Sequence, residues 1–230
     1  MCTSFVLNKK NTIVGFNLDI LDMEWKVFVD DEKVAICILD AKQGWLPLFG
    51  VNRKGNFVSM PTCWPYDKSS DPTSETDPNI IMLDIDLLLD KKSFIETKEF
   101  VLNNKIYSMP SITYQAQLSD KNGNALIITP GQGVEYKEKP EYSILTNFSP
   151  FKLDRSSHPW MGVDRYDKAK QLLEKASDDF TYLDGMKVLE ETSQVICPTV
   201  VSMIYDNNNN TVYWCENRDY NNIFKKVFYE

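Results

Sequence analysis

The chain has 230 residues, which fits one large domain or at most two small ones, with an apolar core that needs no disulfide or metal to stabilise it. Its 25 Lys and Arg residues stand against 33 Asp and Glu residues, which gives a formal net charge of −8. This acidic balance argues against nucleic acid and against an anionic membrane surface as partners. No segment has the pattern of a secretory signal or the length of a transmembrane helix, so we expect a cytoplasmic protein.

The opening segment, 2–19, contains two runs of β-favouring residues on either side of the polar segment NKKN. This pattern predicts a hairpin whose first strand begins at the processed N-terminus. Residues 66–79 are rich in Ser, Asp, Pro and Thr, which indicates a long loop, either a lid or a disordered excursion. Between these two segments lie three further predicted strands, at 34–40, 45–52 and 56–62.

Helices and strands alternate in groups through the rest of the chain. Two helices are predicted within 80–104, and the second has Ser93 as its N-cap. A meander of antiparallel strands follows, with a turn at Asn122-Gly123. Apolar spacing predicts a helix over 164–176, and a capping-box pattern at Thr181 begins another. The last strands are predicted at 199–206, 211–217 and 224–228, so the order favours mixed α+β layers over a βαβ fold.

The cysteines and the one histidine limit the possible chemistry. An odd number of cysteines with long spacings and no C-x-x-C pair predicts neither a disulfide framework nor a structural zinc site. Cys37 and Cys215 lie in strand-like runs and are expected in the core. His158 is expected to be a loop residue without a catalytic role, although a Ser-His-Asp or Cys-His site would depend on it. We expect no metal and no cofactor. The five cysteines are Cys2, Cys37, Cys63, Cys197 and Cys215.

Cys2 directly follows the initiator methionine. A side chain this small normally permits removal of Met1, which leaves a thiol and a free α-amino group on one residue. The ordinary pKa values are about 7.7–8.0 for an α-amino group and about 8.5 for a thiol, so the amine can serve as the base for its own thiol. Such an enzyme needs no histidine. The alternative is that Cys2 begins a strand without any chemical role.

Several segments, in order along the chain, resemble the choloylglycine hydrolase family, which includes bile salt hydrolases, penicillin V acylases and acyltransferase relatives. The resemblance implies a four-layer αββα sandwich, the N-terminal-nucleophile (Ntn) hydrolase fold, in a single domain over 1–230 after removal of Met1. The chain is shorter than most bile salt hydrolases, so some family loops must be trimmed. The resemblance rests on CTSF at 2–5, GFNLD at 15–19, GVNRKG at 50–55, LTN at 145–147 before Pro150, DRY at 164–166, PT at 198–199, YD at 205–206 and ENR at 216–218.

The resemblance also implies roles for single residues. Cys2 would be the nucleophile, with its α-amine as base and later acid, and Asp19 would hold and orient the ammonium group. Asn147 is similar to the asparagine that positions the N-terminus or the oxyanion, and Arg218 to an arginine near the thiol. The plain alternatives are a turn residue for Asp19, a buried amide satisfying the backbone for Asn147 and a surface salt bridge for Arg218.

Two positions depart from the family pattern. Phe16 replaces the arginine of the family's Gly-Arg-Asn turn, so thiolate stabilisation would depend on Arg218 alone. Thr62 stands where the family often has an asparagine that donates to the oxyanion. A threonine hydroxyl or a backbone N–H can still donate there, whereas loss of one such donor lowers the rate about 100- to 1,000-fold.

An apolar pocket is predicted beside the nucleophile, suited to acyl chains or aromatic acyl groups. Its lining would be Met60, Cys63, Trp64 and Tyr66, which are otherwise ordinary core residues. A Cys63–His158 pair, which would make a different thiol hydrolase, has no supporting sequence context.

These observations predict an amidase that hydrolyses a linear amide C–N bond through a thioester on Cys2. Two alternatives remain open: an acyltransferase, in which an amine resolves the thioester, and a catalytically impaired homologue that binds acyl amides. The expected partner is a small-molecule acyl amide, and we expect a homo-oligomer.

Overall fold

The computed structural model describes residues 1–152 and 161–229. Within them the chain forms thirteen strands, four α-helices and a 3₁₀ turn at Lys68–Ser70. The helices are α1 (Ile80–Leu88), α2 (Phe94–Asn103), α3 (Val163–Glu174) and α4 (Tyr182–Glu191). The strands are β1 (Cys2–Asn8), β2 (Thr12–Asp19), β3 (Trp25–Val29), β4 (Lys33–Asp40), β5 (Gly44–Asn52), β6 (Phe57–Ser59), β7 (Ala116–Ser119), β8 (Ala125–Thr129), β9 (Gly133–Lys137), β10 (Tyr142–Leu145), β11 (Thr199–Asp206), β12 (Thr211–Glu216) and β13 (Phe224–Val227).

Two antiparallel sheets make up the centre of the fold. The first has the strand order β10-β1-β2-β11-β12-β13, and the second runs from β3 to β9 in chain order. Helices α3 and α4 pack on the first sheet, and α1 and α2 pack on the second. The predicted four-layer αββα sandwich is therefore confirmed. No helix in the described part of the chain is long and apolar enough to cross a membrane.

Strands β1 and β2 contribute side chains to two separate cores because successive residues point to opposite faces. Cys2, Val6 and Phe16 face the second sheet and join the main core. Phe5 and Ile13 face the other way, into a smaller core beneath α3 and α4. Cys2 therefore begins a strand that is covered on both faces, and its own face is the one between the sheets.

Local signals set where two of the helices begin. The Ser93 hydroxyl accepts from the Glu96 amide at 3.2 Å, and the Glu96 carboxylate accepts from the Ser93 amide at 2.8 Å. This capping box confirms the predicted N-cap of α2. The same reciprocal arrangement joins Thr181 and Asp184 at the start of α4, as the sequence pattern predicts.

The structure differs from the sequence-based expectations at three places. The sequence does not predict strand β3, which is an edge strand; three of its five residues are exposed, so its apolar signal is weak. The predicted run 56–62 forms a strand only over Phe57–Ser59, because Pro61 interrupts it. The predicted meander ends at β9, since β10 pairs with β1 in the other sheet.

Buried amides join the two sheets where β10 leaves the meander. The Gln115 side chain donates to the Thr146 carbonyl at 2.8 Å and accepts from the Thr129 hydroxyl at 3.0 Å. Gln117 accepts from the Ser4 hydroxyl at 3.1 Å. These bonds fix the chain on both sides of the sheet-to-sheet crossing, directly before Asn147.

Candidate active site

Cys2 lies in the main core, with 3% of its surface exposed. Its strand is paired on both sides, with β2 and with β10. In the chain with Met1 retained, the Met1 ammonium donates to the main-chain oxygen of Asp19 at 2.6 Å. The Met1 carbonyl accepts from the Asp19 amide at 2.9 Å. The N-terminus is therefore fixed beside the end of β2.

Asn147 joins Cys2 to the second sheet. Its side-chain oxygen accepts from the main-chain nitrogen of Cys2 at 2.8 Å, and its amide group donates to the carbonyl of Thr62 at 2.7 Å. Its main-chain oxygen accepts from the Trp64 amide at 2.6 Å. Asn147 is completely buried and held from several directions, so its amide is oriented before any ligand arrives.

Asp19 is completely buried at the end of β2. One carboxylate oxygen accepts from the Thr199 hydroxyl at 2.6 Å, and the other accepts from the Gln194 side chain at 2.6 Å. A guanidinium nitrogen of Arg165 lies 3.7 Å from the second oxygen. The structure therefore brings Asp19 to the same cluster as Cys2 and Asn147.

Arg165 is a buried side-chain cation of this cluster, and no role for it was predicted from the sequence. It donates to the Cys2 carbonyl, to the Thr3 hydroxyl at 2.9 Å and to the side-chain oxygen of Asn147 at 2.8 Å. The signal for it was present in α3, because Arg165 shares a buried helix face with Ala169 and Leu173 at spacings of four. A charged residue at the end of an apolar helix face indicates a buried partner.

Arg218 lies elsewhere. It is exposed at the turn after β12, with φ of 62°, and its guanidinium donates to the Ser193 hydroxyl at 3.2 Å. The structure does not bring it together with Cys2, Asp19 and Asn147. Arg218 is on the surface, but it forms no ion pair with a described residue, so the salt bridge of the plain alternative is not seen either. The guanidinium that contacts Cys2 is that of Arg165.

Burial dominates the electrostatics of the cluster. It raises the pKa of the Cys2 thiol to about 11, against the lowering effects of the Met1 ammonium and of Arg165. Burial also raises the pKa of the Asp19 carboxyl, although Arg165 and the hydrogen bonds from Thr199 and Gln194 act in the opposite direction. With Met1 in place, the Cys2 thiol is protonated at neutral pH.

Phe16 and Thr62 have clear structural positions. The Phe16 ring is fully buried and stacks on Phe49 of the second sheet with a centroid separation of 4.8 Å. It therefore fills the space between the sheets with apolar contact. Thr62 is half-buried, and its carbonyl and hydroxyl both accept from the Asn147 amide, at 2.7 and 3.2 Å.

The four predicted pocket residues divide into two pairs. Met60 and Cys63 are buried in the core, and burial raises the pKa of the Cys63 thiol to about 12. Trp64 and Tyr66 have exposed rings, and the Tyr66 hydroxyl donates to Asp71. Only Trp64 and Tyr66 therefore present surface to a ligand. Residues 66–79 form a loop as predicted.

Other sequence-based expectations concern cysteine and metal chemistry. Cys37 and Cys215 are buried in strands, as predicted. His158, and with it any Cys63–His158 pair, lies outside the described residues. Within 1–152 and 161–229, no three His, Cys, Asp or Glu side chains are grouped to hold a metal ion.

The two-sheet αββα sandwich is the Ntn-hydrolase fold, which similar solved structures share. A conjugated bile acid hydrolase from Clostridium perfringens aligns with a TM-score of 0.70 at 15% identity, over 99% of this chain and 92% of its own. Penicillin V acylase from Agrobacterium tumefaciens aligns with a TM-score of 0.66 at 12% identity, over 94% and 83%.

A third similar structure is the Caenorhabditis elegans ortholog of N-acylethanolamine-hydrolyzing acid amidase, with a TM-score of 0.60 at 18% identity, over 90% of this chain and 93% of its own. At these identities the likeness establishes the fold. No family model matches the sequence, and a search of curated proteins also finds no match.

Proposed function

We propose that this protein hydrolyses a linear amide C–N bond, with Cys2 as the nucleophile after removal of Met1. One observation carries the proposal: the main-chain nitrogen of Cys2 donates to Asn147 at 2.8 Å inside a buried cluster that also contains Arg165 and Asp19. When the Met1–Cys2 bond is cleaved, that nitrogen becomes a free α-amino group. The partners that orient it are already in place.

Removal of Met1 supplies the base. The Met1 ammonium already lowers the pKa of the Cys2 thiol from a distance of one residue. Transferring the ammonium to Cys2 itself shortens that separation, and Coulombic stabilisation of the thiolate increases as the distance falls. The thiol proton can then pass to the α-amine of the same residue, and no histidine is required.

Each neighbour has a chemical part in this proposal. Asp19, whose carboxyl already interacts with the N-terminal ammonium, balances the ammonium group that forms during attack. Arg165 contacts the Cys2 carbonyl and lowers the pKa of the Cys2 thiol, so it supplies a fixed positive charge that favours the thiolate. The Thr62 hydroxyl accepts from Asn147, which leaves its own proton available to the carbonyl oxygen of a substrate. Asn147 orients the attacking residue through its side-chain oxygen.

The reaction proceeds in two acyl transfers. The thiolate forms a bond to the amide carbon, and the tetrahedral oxyanion collapses with loss of the amine, which takes a proton from the α-ammonium. Water then attacks the thioester as the α-amine removes its proton, which releases the carboxylic acid and restores the thiolate. An added amine in place of water would give acyl transfer.

Two loops beside the cluster support an apolar acyl group as substrate. The loop after β2 exposes Leu21 and Met23, and the loop before β11 exposes Val195 and Ile196, at 71% and 84% for the latter two. The loops are joined by a bond from the Ile20 amide to the Pro198 carbonyl, at 3.2 Å. Exposed apolar residues grouped in this way are typical of ligand-binding surfaces.

A panel of N-acyl amides tests the proposal. Liberated amine and acid are measured for the mature protein, for Cys2→Ala and for the matched control Cys197→Ser, which alters another free cysteine. We expect turnover by the mature protein and by Cys197→Ser, and none by Cys2→Ala. Equal turnover by Cys2→Ala refutes the assignment. Binding without turnover by the mature protein identifies an acyl-amide-binding homologue, and products formed with an added amine identify a transferase.

A further inference from the structure

Strand β3 has one edge that no other described strand covers. The second sheet begins at β3, which pairs only with β4. The Leu39 amide donates to the Glu24 carbonyl, and the Asp30 amide donates to the Lys33 carbonyl, both at 3.0 Å. Because antiparallel ladders alternate, the even-numbered residues of 24–30 direct their backbone groups towards β4. The odd-numbered residues therefore direct theirs outward, where a further strand could pair with them.

The outer face of β3 is also open. Successive side chains alternate between the two faces, so Lys26 and Phe28 point away from Val27, which packs against the main core. Helix α1 packs chiefly on β5 and β6, and α2 packs on β9, away from β3. As a result Phe28 is 42% exposed and its neighbour Val29 is 41% exposed. An unpaired edge with exposed apolar side chains is a surface to which another chain can add.

Two charged residues make this edge selective. The Lys26 ammonium lies 4.2 Å from the centre of the Trp45 ring and forms no ion pair with a described residue. Asp30 is paired with Lys33 at 2.7 Å, and its side chain remains 34% exposed. A lysine on an edge strand normally deters pairing with another chain. Pairing is favoured where an acidic residue of the added strand lies opposite Lys26.

The charges select one register among those in which two copies of β3 pair about a two-fold axis. An axis at Lys26 places the two ammonium groups opposite each other. An axis at Val27 places Glu24 opposite the partner's Asp30, which is again a pair of like charges. An axis at Phe28 places Lys26 opposite the partner's Asp30, and by symmetry this ion pair forms twice. Opposite charges directly across a ladder stabilise it, and like charges destabilise it.

We propose that the protein forms a two-fold symmetric dimer in which β3 pairs antiparallel with β3 of a second copy, with the axis at Phe28. The pairing joins the two seven-stranded sheets into one continuous sheet. Val27 and the partner's Val29 exchange main-chain hydrogen bonds, because both direct their backbone groups outward. The two Phe28 rings cover each other at the axis. The dimer does not depend on the proposed chemistry at Cys2.

Sedimentation of the full chain over a range of concentrations tests the proposal. We expect a reversible equilibrium between monomer and dimer with a Kd of about 100 μM or below, since a small interface gives a weak complex. Added salt should weaken the dimer, because exposed ion pairs are screened. A chain that remains monomeric at roughly 1 mM, ten times that Kd, overturns the proposal.

Cysteine crosslinking tests the register. Phe28→Cys places two cysteines opposite each other at the axis, with Cα atoms about 4.5 Å apart, within the range that a disulfide spans. Lys26→Cys is the matched control, because four residues of strand, about 14 Å, separate its two copies. On mild oxidation we expect a disulfide-linked dimer of Phe28→Cys, and no more of Lys26→Cys than of the parent chain. Equal crosslinking of the two variants, or none of Phe28→Cys, refutes the register.

Two further variants test the ion pairs and the backbone pairing. Lys26→Glu places like charges together twice and should weaken the dimer about tenfold. Its matched control, Lys42→Glu, makes the same charge change at the exposed β4–β5 turn. Val27→Pro removes an outward amide, a change that an edge strand tolerates, and should abolish the dimer with an unchanged far-UV circular dichroism spectrum. An equal loss in Lys42→Glu, or an unchanged dimer in Val27→Pro, overturns the proposal.

Discussion

Replacing Arg165 by methionine isolates the largest electrostatic interaction in the cluster. The substitution removes the donors to Cys2, Thr3 and Asn147 and leaves the buried Asp19 without its cation. Removing one partner of a buried ion pair costs about 3–5 kcal/mol. We expect the free energy of unfolding of Arg165→Met, measured by urea denaturation, to fall by about that amount. The matched control Arg53→Met breaks an exposed pair and should cost about 1 kcal/mol or less.

A double-mutant cycle identifies the origin of that cost. In an Asp19→Asn background no carboxylate is left unpaired, so Arg165→Met should be less destabilising than in the parent chain. Residues in direct contact give coupling energies of about 0.5–3 kcal/mol. Additive losses from Arg165→Met and Asp19→Asn would refute the claim that the two side chains form a coupled pair.

The pH dependence gives a second check on the same pair. Burial raises the folded-state pKa of Asp19, so the stability contributed by its protonated form is present in acid and is lost as the pH rises through that pKa. Arg165 opposes this shift, and its removal raises the pKa of Asp19 further. The stability difference between the parent chain and Arg165→Met should therefore widen as the pH rises from acid towards neutrality. A constant difference would show that Asp19 is not the group involved.

Three further substitutions give separate predictions. Arg218→Gln should change the free energy of unfolding by less than about 0.5 kcal/mol and leave amide turnover intact, because the side chain is exposed. A large loss of turnover would instead show that Arg218 takes part in the reaction. Asp84 is completely buried with both oxygens unpartnered among described residues, and burial raises its pKa well above the ordinary value. Stability contributed by its neutral form is lost as the pH rises, so Asp84→Asn should gain stability relative to the parent chain in alkaline urea titrations, and a pH-independent difference would contradict this. Gly50→Ala should lower the melting temperature, because a Cβ there would lie 2.2 Å from the Val34 carbonyl oxygen at a φ of 141°; an unchanged melting temperature would contradict this reading of the close approach.

Local sequence signals were sufficient to predict many of the helices and strands. The capping residues Ser93 and Thr181 and the alternating strands around Cys2 follow from side-chain chemistry within a few residues of each position. The pairing of β10 with the first sheet could not be predicted from such local signals. It depends on contacts such as Gln115 to Thr146, between residues that are 31 positions apart.

The site was predictable to the extent that its residues lie at strand ends with a recognisable motif. Cys2, Asp19 and Asn147 were singled out from the sequence and lie in one cluster. Arg165 was missed because the Glu216-Asn217-Arg218 motif offered another arginine, and only the packing of α3 decides which guanidinium reaches Cys2. The partners of Asp19, Gln194 and Thr199, likewise come together only when β11 pairs with β2.

Intact mass of the protein purified from cells, followed by brief alkylation and peptide mapping, tests the central claim most directly. We expect loss of the mass of Met1 and preferential labelling of Cys2, because an α-amino group on the same residue favours its thiolate. Burial keeps the thiols of Cys63 and Cys215 protonated, with pKa values raised to about 12 and about 11. Retained Met1, or labelling confined to other cysteines, would contradict Cys2 as a reactive N-terminal nucleophile.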